Sequence, residues 1–180
     1  VKNSKFLKLK CLSVHIGSQI LNHKPYEKML KVLQRVIYKA KFNFEYIDLG
    51  GGMGVDYEKN NQNLNFKKYS LNIKKFLKKN DSKIIFEPGR TIVANAGYLI
   101  SKVIYIKEGD KKDVIIIDAA MNDLMRPALY KAKHEILAAK KNNTKSKKIY
   151  EFVGPICEST DKFSTVKKFQ KLNEKDLIVI

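Results

Sequence analysis

Apolar and polar positions follow two different rhythms along this chain, and the change between them falls near its middle. In the first half a short apolar run, a glycine-containing turn and a helical stretch follow one another repeatedly, the pattern of βα units that feed a parallel sheet. The run Leu9 to Ile16 alternates loosely and ends at His15-Ile16-Gly17-Ser18. Pro25 then opens a predicted helix in which Tyr26, Met29, Leu30, Leu33, Val36, Ile37 and Ala40 recur at three- and four-residue intervals, giving one buried stripe. A second strand, Phe42 to Leu49, runs into Gly50-Gly51-Gly52-Met53-Gly54. The helix after it, capped by Asn65, carries Phe66, Tyr69, Ile73, Phe76 and Leu77 on one face. A third strand, Lys83 to Phe86, stops at Glu87-Pro88-Gly89-Arg90.

After Arg90 the texture becomes β-rich. Tyr98 to Lys107 and Asp113 to Asp118 read as strands joined by the hairpin-like Glu108-Gly109-Asp110. Ile149 to Val153 and Asp176 to Ile180 add further strands, Ala128 to Lys140 reads as a short helix, and Lys141 to Lys148 as a solvated loop. The pattern places a domain boundary near residue 95, with α/β in 1–95 and mainly antiparallel β in 96–180. Three βα units cannot close a (β/α)8 barrel, which takes eight strands and typically about 250 residues. An open doubly wound sheet would need a glycine fingerprint followed by an acidic residue about 20 positions on, which Gly50 to Gly54 lacks. The expected fold class is therefore α/β plus β: the C-terminal portion of a (β/α)8 TIM barrel, most of it upstream of Val1, followed by a mainly antiparallel β-barrel or sandwich. A start at Val1 and a stop inside the apolar run Leu177 to Ile180 are read as the ends of a piece of a longer protein.

Composition changes this picture little, since 44% hydrophobic and 30% charged residues are ordinary for a folded domain. The net charge of +18 would suggest a polyanionic partner. Only Arg35, Arg90 and Arg126 among the 36 basic residues are arginines, however, and Lys, Asn and Ile together fill 66 of the 180 positions. That make-up looks like biased codon usage, and its lysine pairs are scattered, so no nucleic-acid partner is expected. No apolar run is long enough for a membrane span, and the N-terminal stretch lacks the apolar core of a secretory signal. Cys11 and Cys157 fit no metal-ligand spacing, so a reducing, cytoplasmic setting without a structural metal is expected.

Five places carry candidate chemistry. Gly50 to Gly52 after a strand would let backbone amides approach a phosphate, although glycines in a turn are also plain conformational devices. Glu87-Pro88-Gly89-Arg90 puts a carboxylate, a rigid turn and a guanidinium fork at one strand end, with a surface salt bridge as the plainer reading. His15 is either a satisfied core histidine or a rim residue of the barrel's C-terminal face, where active sites sit. Met121 to Tyr130 brings Arg126 beside a helix-starting Pro127, which a capped, solvent-facing helix also explains. Gly154 to Asp161 sets Cys157 next to Glu158, where a free cysteine is otherwise core filler.

Together and in this order, the motifs resemble those of the diaminopimelate decarboxylase family, pyridoxal-phosphate enzymes of the alanine-racemase-like, fold type III group. His15-Ile16-Gly17-Ser18-Gln19, the glycine triplet and Glu87 to Arg90 look like features shared with ornithine and arginine decarboxylases. Met121 to Ile136 and the Cys157-Glu158 pair look specific to the diaminopimelate branch. The resemblance implies decarboxylation of meso-2,6-diaminopimelate to L-lysine, the last step of lysine biosynthesis, by a homodimer whose active sites are shared across the interface. It implies that His15 stacks on the pyridine ring of pyridoxal 5'-phosphate, and that Ser18, Gly50, Gly51 and Gly52 hold its phosphate. Glu87 would face the ring nitrogen, with Pro88, Gly89 and Arg90 around the cofactor. Arg90, Arg126, Tyr130 and Glu158 would hold the amino-acid substrate, and Cys157 would donate a proton in the partner's site. The family's cofactor lysine is expected upstream of Val1 and a further site tyrosine beyond Ile180, so the 180 residues alone are expected to be inactive. The rival readings are a decarboxylase for another basic amino acid, with little need for Arg126, and an inactive relative that only dimerises.

Overall fold

The computed structural model describes residues 4–60 and 62–180 and divides into two units, Val1–Ala96 and Gly97–Ile180, each with a hydrophobic core. In the first unit, β1 (Cys11–Ser13), β2 (Tyr46–Asp48) and β3 (Lys83–Ile85) form a parallel sheet in the order β1-β2-β3, with Leu12, Ile47 and Ile84 in register. Each ladder is shorter than the apolar run that announced it. Flanking residues such as Leu9, Val14, Phe42 and Phe44 serve the core without joining the ladder.

The helix α1 (His23–Ala40) starts two residues before Pro25, because the Asn22 side chain accepts a hydrogen bond from the Lys24 N–H and caps it. Pro25 therefore lies in the first turn, where its missing N–H removes no intrahelical bond. The stripe Tyr26, Met29, Leu30 and Leu33 is buried as the spacing predicts, whereas Val36 is exposed. In α2 (Phe66–Leu77), Asn65 is the cap through a hydrogen bond from Lys68 N–H, and Tyr69, Ile73 and Phe76 face the core. Phe66, at the first helical position, is exposed instead. Both helices pack over Ile47 and Leu49 of the sheet region. Burying two such side chains is worth about 1.5–3 kcal/mol each before entropy is counted. A four-residue helix, α3 (Arg90–Val93), follows Gly89.

The second unit is built on one mixed six-stranded sheet in the order β6-β9-β4-β5-β7-β8. Its strands are β4 (Ile100–Lys107), β5 (Lys112–Ile117), β6 (Leu137–Ala138), β7 (Ile149–Val153), β8 (Lys162–Val166) and β9 (Leu177–Val179). The expected β4–β5 hairpin is present, its turn held by the Gly109 N–H donating to Asp113. The ladders of this sheet are mainly antiparallel, and the exception is β5 with β7, which run parallel with Ile115 opposite Phe152. Parallel neighbours need a long crossover, and residues 118–148 supply it.

The helix expected over Ala128 to Lys140 is corrected to α4 (Arg126–Tyr130). Lys131 takes a left-handed conformation and its N–H closes on the Arg126 carbonyl, which stops the helix and frees Leu137-Ala138 to pair with β9. The strand β8 is missing from the pattern reading because lysines crowd it and Phe163 alone is buried. Val103, Ile115, Ile117, Phe152, Phe163 and Ile178 form the centre of this core.

Candidate active site

In the first unit the three parallel strands deliver three turns to the same sheet edge, and backbone bonds stitch the turns together. The Val14 N–H donates to Asp48 O at 3.0 Å, Glu87 N–H to Gly50 O at 2.9 Å, and Ile20 N–H to Gly52 O at 2.9 Å. Asp48 is buried and locks the centre: one oxygen accepts from the Ser13 hydroxyl at 3.0 Å, the other from the Gly50 N–H at 2.8 Å. Tyr26, fully buried in α1, donates its hydroxyl to Gly51 O at 3.1 Å. His15, Ser18, Gly50 to Gly52, Glu87 and Arg90 are thus brought into one cluster.

The glycine triplet is crowded by protein. A Cβ on Gly50 would lie 2.6 Å from Val14 O and 3.0 Å from His15 Nδ1, one on Gly51 2.1 Å from Glu87 O, and one on Gly52 2.1 Å from Gly17 O. Gly50 and Gly52 also have positive φ, at +64° and +84°. Tight interlocking of the turns therefore accounts for all three glycines. In the first unit the glycines that face open space are Gly17 and Gly89, where an added Cβ would meet nothing within 4 Å.

His15 is exposed, which excludes the core-histidine reading, and Glu87 is exposed as well. Arg90 is half-buried and its partners are neutral. Its Nη1 donates to Gln19 Oε1 at 2.6 Å and its Nη2 to Ser18 Oγ at 3.0 Å. Among the described residues no carboxylate pairs with it, so the surface-salt-bridge reading does not hold.

The other candidates lie in the second unit. Asp161 is 3% exposed and carries no cation; its Oδ1 accepts from the Met121 N–H at 2.7 Å and its Oδ2 from the Ile156 N–H at 2.9 Å. One buried carboxylate thereby fastens the segment leading to Arg126 to the loop bearing Cys157 and Glu158. Cys157 is exposed rather than core filler. Glu158 is held below the usual carboxylate range, chiefly by the Thr160 N–H and then by the hydroxyls of Ser159 and Thr160, so it stays ionised. Arg126 lies over the Tyr130 ring, 5.5 Å from its centroid, and its Nε is buried without a hydrogen-bond partner.

Gln19, Asp48 and Asp161 hold the site and were given no role from sequence. Each sits within two residues of a motif glycine or at the end of a motif, which was the signal to follow. Among the described residues no group of three or more His, Cys, Asp or Glu could hold a metal ion, and no helix is long and apolar enough to cross a membrane.

Residues 16–180 match the family model described as pyridoxal-dependent decarboxylase, C-terminal sheet domain. The chain belongs to this decarboxylase family. It is 41% identical over 180 residues to diaminopimelate decarboxylase from Zymomonas mobilis, covering 97% of this chain and 42% of that protein. The crystal structure of diaminopimelate decarboxylase from Helicobacter pylori complexed with L-lysine superposes with a TM-score of 0.82 at 36% identity, covering 99% of this chain and 45% of that one. The enzyme from M. jannaschii, in co-complex with L-lysine, gives 0.83 at 35% identity over 93% of this chain and 40% of that one. The chain spans less than half the length of these relatives.

Proposed function

We propose that this chain is the C-terminal part of a pyridoxal 5'-phosphate-dependent decarboxylase that converts meso-2,6-diaminopimelate to L-lysine. On this reading β1 to β3 are strands of a (β/α)8 barrel and Gly97–Ile180 is the body of a β-barrel domain. The observation that carries the proposal is the Asp161 carboxylate, which ties the Arg126 segment to the Cys157-Glu158 loop in a chain 41% identical to a diaminopimelate decarboxylase. Diaminopimelate carries a second amino-acid head, so its recognition takes one cation for the far carboxylate and one anion for the far ammonium. Arg126, with an unused Nε, and the ionised Glu158 supply the two signs.

The first unit fits a phosphorylated aromatic cofactor, given the open space at Gly17 and Gly89 and a guanidinium whose charge no carboxylate neutralises. When bound, pyridoxal phosphate supplies the electron sink that makes loss of carbon dioxide feasible. Ser18, Gly51, Gly52, Gly89 and Arg90 would hold its phosphate end, and His15 would lie against its ring. Gly50, whose N–H and C=O are both used inside the protein, contributes the bend rather than a contact. The Glu87 carboxylate favours a proton on the ring nitrogen, and Pro88 sets its direction. Arg90 and Tyr130 orient the substrate's near end. The Cys157 thiol would be the acid that supplies a proton to the substrate carbon left by the departing carboxylate. Its exposure suits a group that serves the site of a second subunit in a homodimer, in a reducing, cytoplasmic setting.

The test is product analysis with the full-length protein loaded with pyridoxal phosphate. L-lysine from meso-diaminopimelate, with no diamine from ornithine or arginine, is expected. Putrescine or agmatine formation without turnover of diaminopimelate would overturn the proposal in favour of a diamine-forming enzyme, and no turnover of any substrate in favour of an inactive relative.

A further inference from the structure

Gln19 makes three side-chain hydrogen bonds, and none of them has been given a function above. Its Nε2 donates to Val55 O at 2.5 Å while its Oε1 accepts from the Val55 N–H at 3.3 Å, so the amide is clamped at both ends by one residue's backbone. The clamp extends the short pairing of Ile20 with Met53, and Gln19 itself sits at φ 62°, a left-handed conformation that aims the side chain back at Val55. This pairing fixes which end of the amide is which. Turned over, Nε2 would face both the Val55 N–H and the Arg90 Nη1, two donors against a donor. Oε1 is therefore the atom presented to Arg90, which it meets at 2.6 Å.

We infer that Gln19 is a positioning residue that aims the Arg90 fork at the anionic end of the ligand while leaving its charge intact. Ser18 fixes Nη2 and Gln19 fixes Nη1, so the plane of the guanidinium is set by two neutral acceptors. A guanidinium has five N–H donors, and these two bonds leave three for an anion. A carboxylate in place of Gln19 would still offer Arg90 an acceptor, but it would neutralise the fork and would lose the bond donated to Val55 O. Neutral clamping is the arrangement that suits a site whose business is to bind phosphate or carboxylate. The inference rests on the reading of Arg90 as a ligand-binding residue.

The experiment measures equilibrium affinity for pyridoxal 5'-phosphate and for inorganic phosphate in the full-length protein, comparing wild type with Gln19→Met, Gln19→Glu and Arg90→Lys, with thermal melting recorded in parallel. Gln19→Met removes the clamp at similar volume, and affinity should fall about threefold to tenfold. Gln19→Glu keeps an oxygen for Arg90 but adds the opposing charge, so its affinity should fall further than that of Gln19→Met, by about tenfold or more. The signature is a loss of affinity in Gln19→Glu that exceeds its loss of melting temperature when compared with Gln19→Met, because Glu also loses the bond to Val55 O and a purely structural role would make affinity follow melting in both variants. Should Gln19→Met fail to fold, Gln19→Glu against wild type still gives the answer, with loss of affinity at near-normal melting expected. If Arg90→Lys weakens binding while Gln19→Glu binds like wild type or better than Gln19→Met, the inference is wrong. If Arg90→Lys also binds like wild type, the assignment of Arg90 itself fails, and the inference with it.

Discussion

A Cβ on Gly154 would lie 2.2 Å from Oδ2 of Asp161, so the glycine is what allows the buried carboxylate to reach the Ile156 N–H. The same carboxylate accepts from Met121, and the Asp161 carbonyl accepts from the Gly154 N–H at 3.0 Å. Two stretches separated by some thirty residues are therefore joined at one point, and both carry residues proposed to read the substrate.

Asp161→Asn tests that joint. The amide can accept at only one end, and its NH2 would face either the Met121 or the Ile156 N–H. A buried donor left unsatisfied costs about 1–3 kcal/mol. A lower melting temperature and faster alkylation of Cys157 are expected from a loosened loop. Unchanged thiol reactivity would remove Asp161 from the support of the site.

The two kinds of glycine in the first unit should respond differently to alanine. Gly51→Ala drives a methyl into Glu87 O and must shift the Glu87 to Arg90 turn, a clash that costs about 1–3 kcal/mol or more. Gly89→Ala meets open space, so it should cost less stability than Gly51→Ala yet weaken cofactor binding by filling the approach. Denaturant unfolding and cofactor titration of both variants separate the cases. Equal stability losses would contradict the distinction.

This distinction also marks where sequence reading stopped. Helix stripes such as Tyr26 to Leu33, the Asn65 cap and the β4–β5 hairpin were legible because they depend on local periodicity and capping chemistry. The meaning of Gly50 to Gly52 was not, since what presses on each glycine comes from turns more than thirty residues away in sequence or from the far side of a neighbouring loop. Gln19 and Asp161 were invisible for a similar reason: their partners Arg90 and Met121 lie 71 and 40 residues off. The parallel β5–β7 ladder was not legible because parallel pairing is set by the crossover, not by either strand.

Glu87→Gln in the full-length enzyme should lower turnover about tenfold or more while changing substrate affinity less, because a neutral amide no longer favours a proton on the ring nitrogen. Steady-state kinetics with meso-diaminopimelate measures it. An unchanged kcat would take Glu87 out of the mechanism.

A structural prediction concerns acid. Glu151 accepts from Lys112 Nζ at 2.5 Å and from Lys162 Nζ, and these bonds, Lys112 first, lower its pKa. With a depressed folded pKa, the stabilisation is complete above the ordinary glutamate value of about 4.3 and is lost as pH falls through the folded value. Glu151→Gln should therefore be less stable than wild type at neutral pH, by up to about 1 kcal/mol, and the gap should close under strongly acidic conditions. Urea unfolding at the two pH values checks this, and a gap independent of pH would contradict it.

The most direct measurement follows turnover of meso-diaminopimelate, and its inhibition by L-lysine, which keeps the far amino-acid head, and by cadaverine, which lacks the far carboxylate, in the full-length enzyme and its Arg126→Lys variant. If Arg126 reads the far carboxylate through its fork, kcat/KM for diaminopimelate should fall about a hundredfold, since an ammonium cannot reproduce a bidentate contact, and inhibition by L-lysine should weaken while that by cadaverine stays nearly unchanged. Equal weakening of both inhibitors, or no loss on diaminopimelate, would contradict the assignment of this chain to diaminopimelate recognition through Arg126.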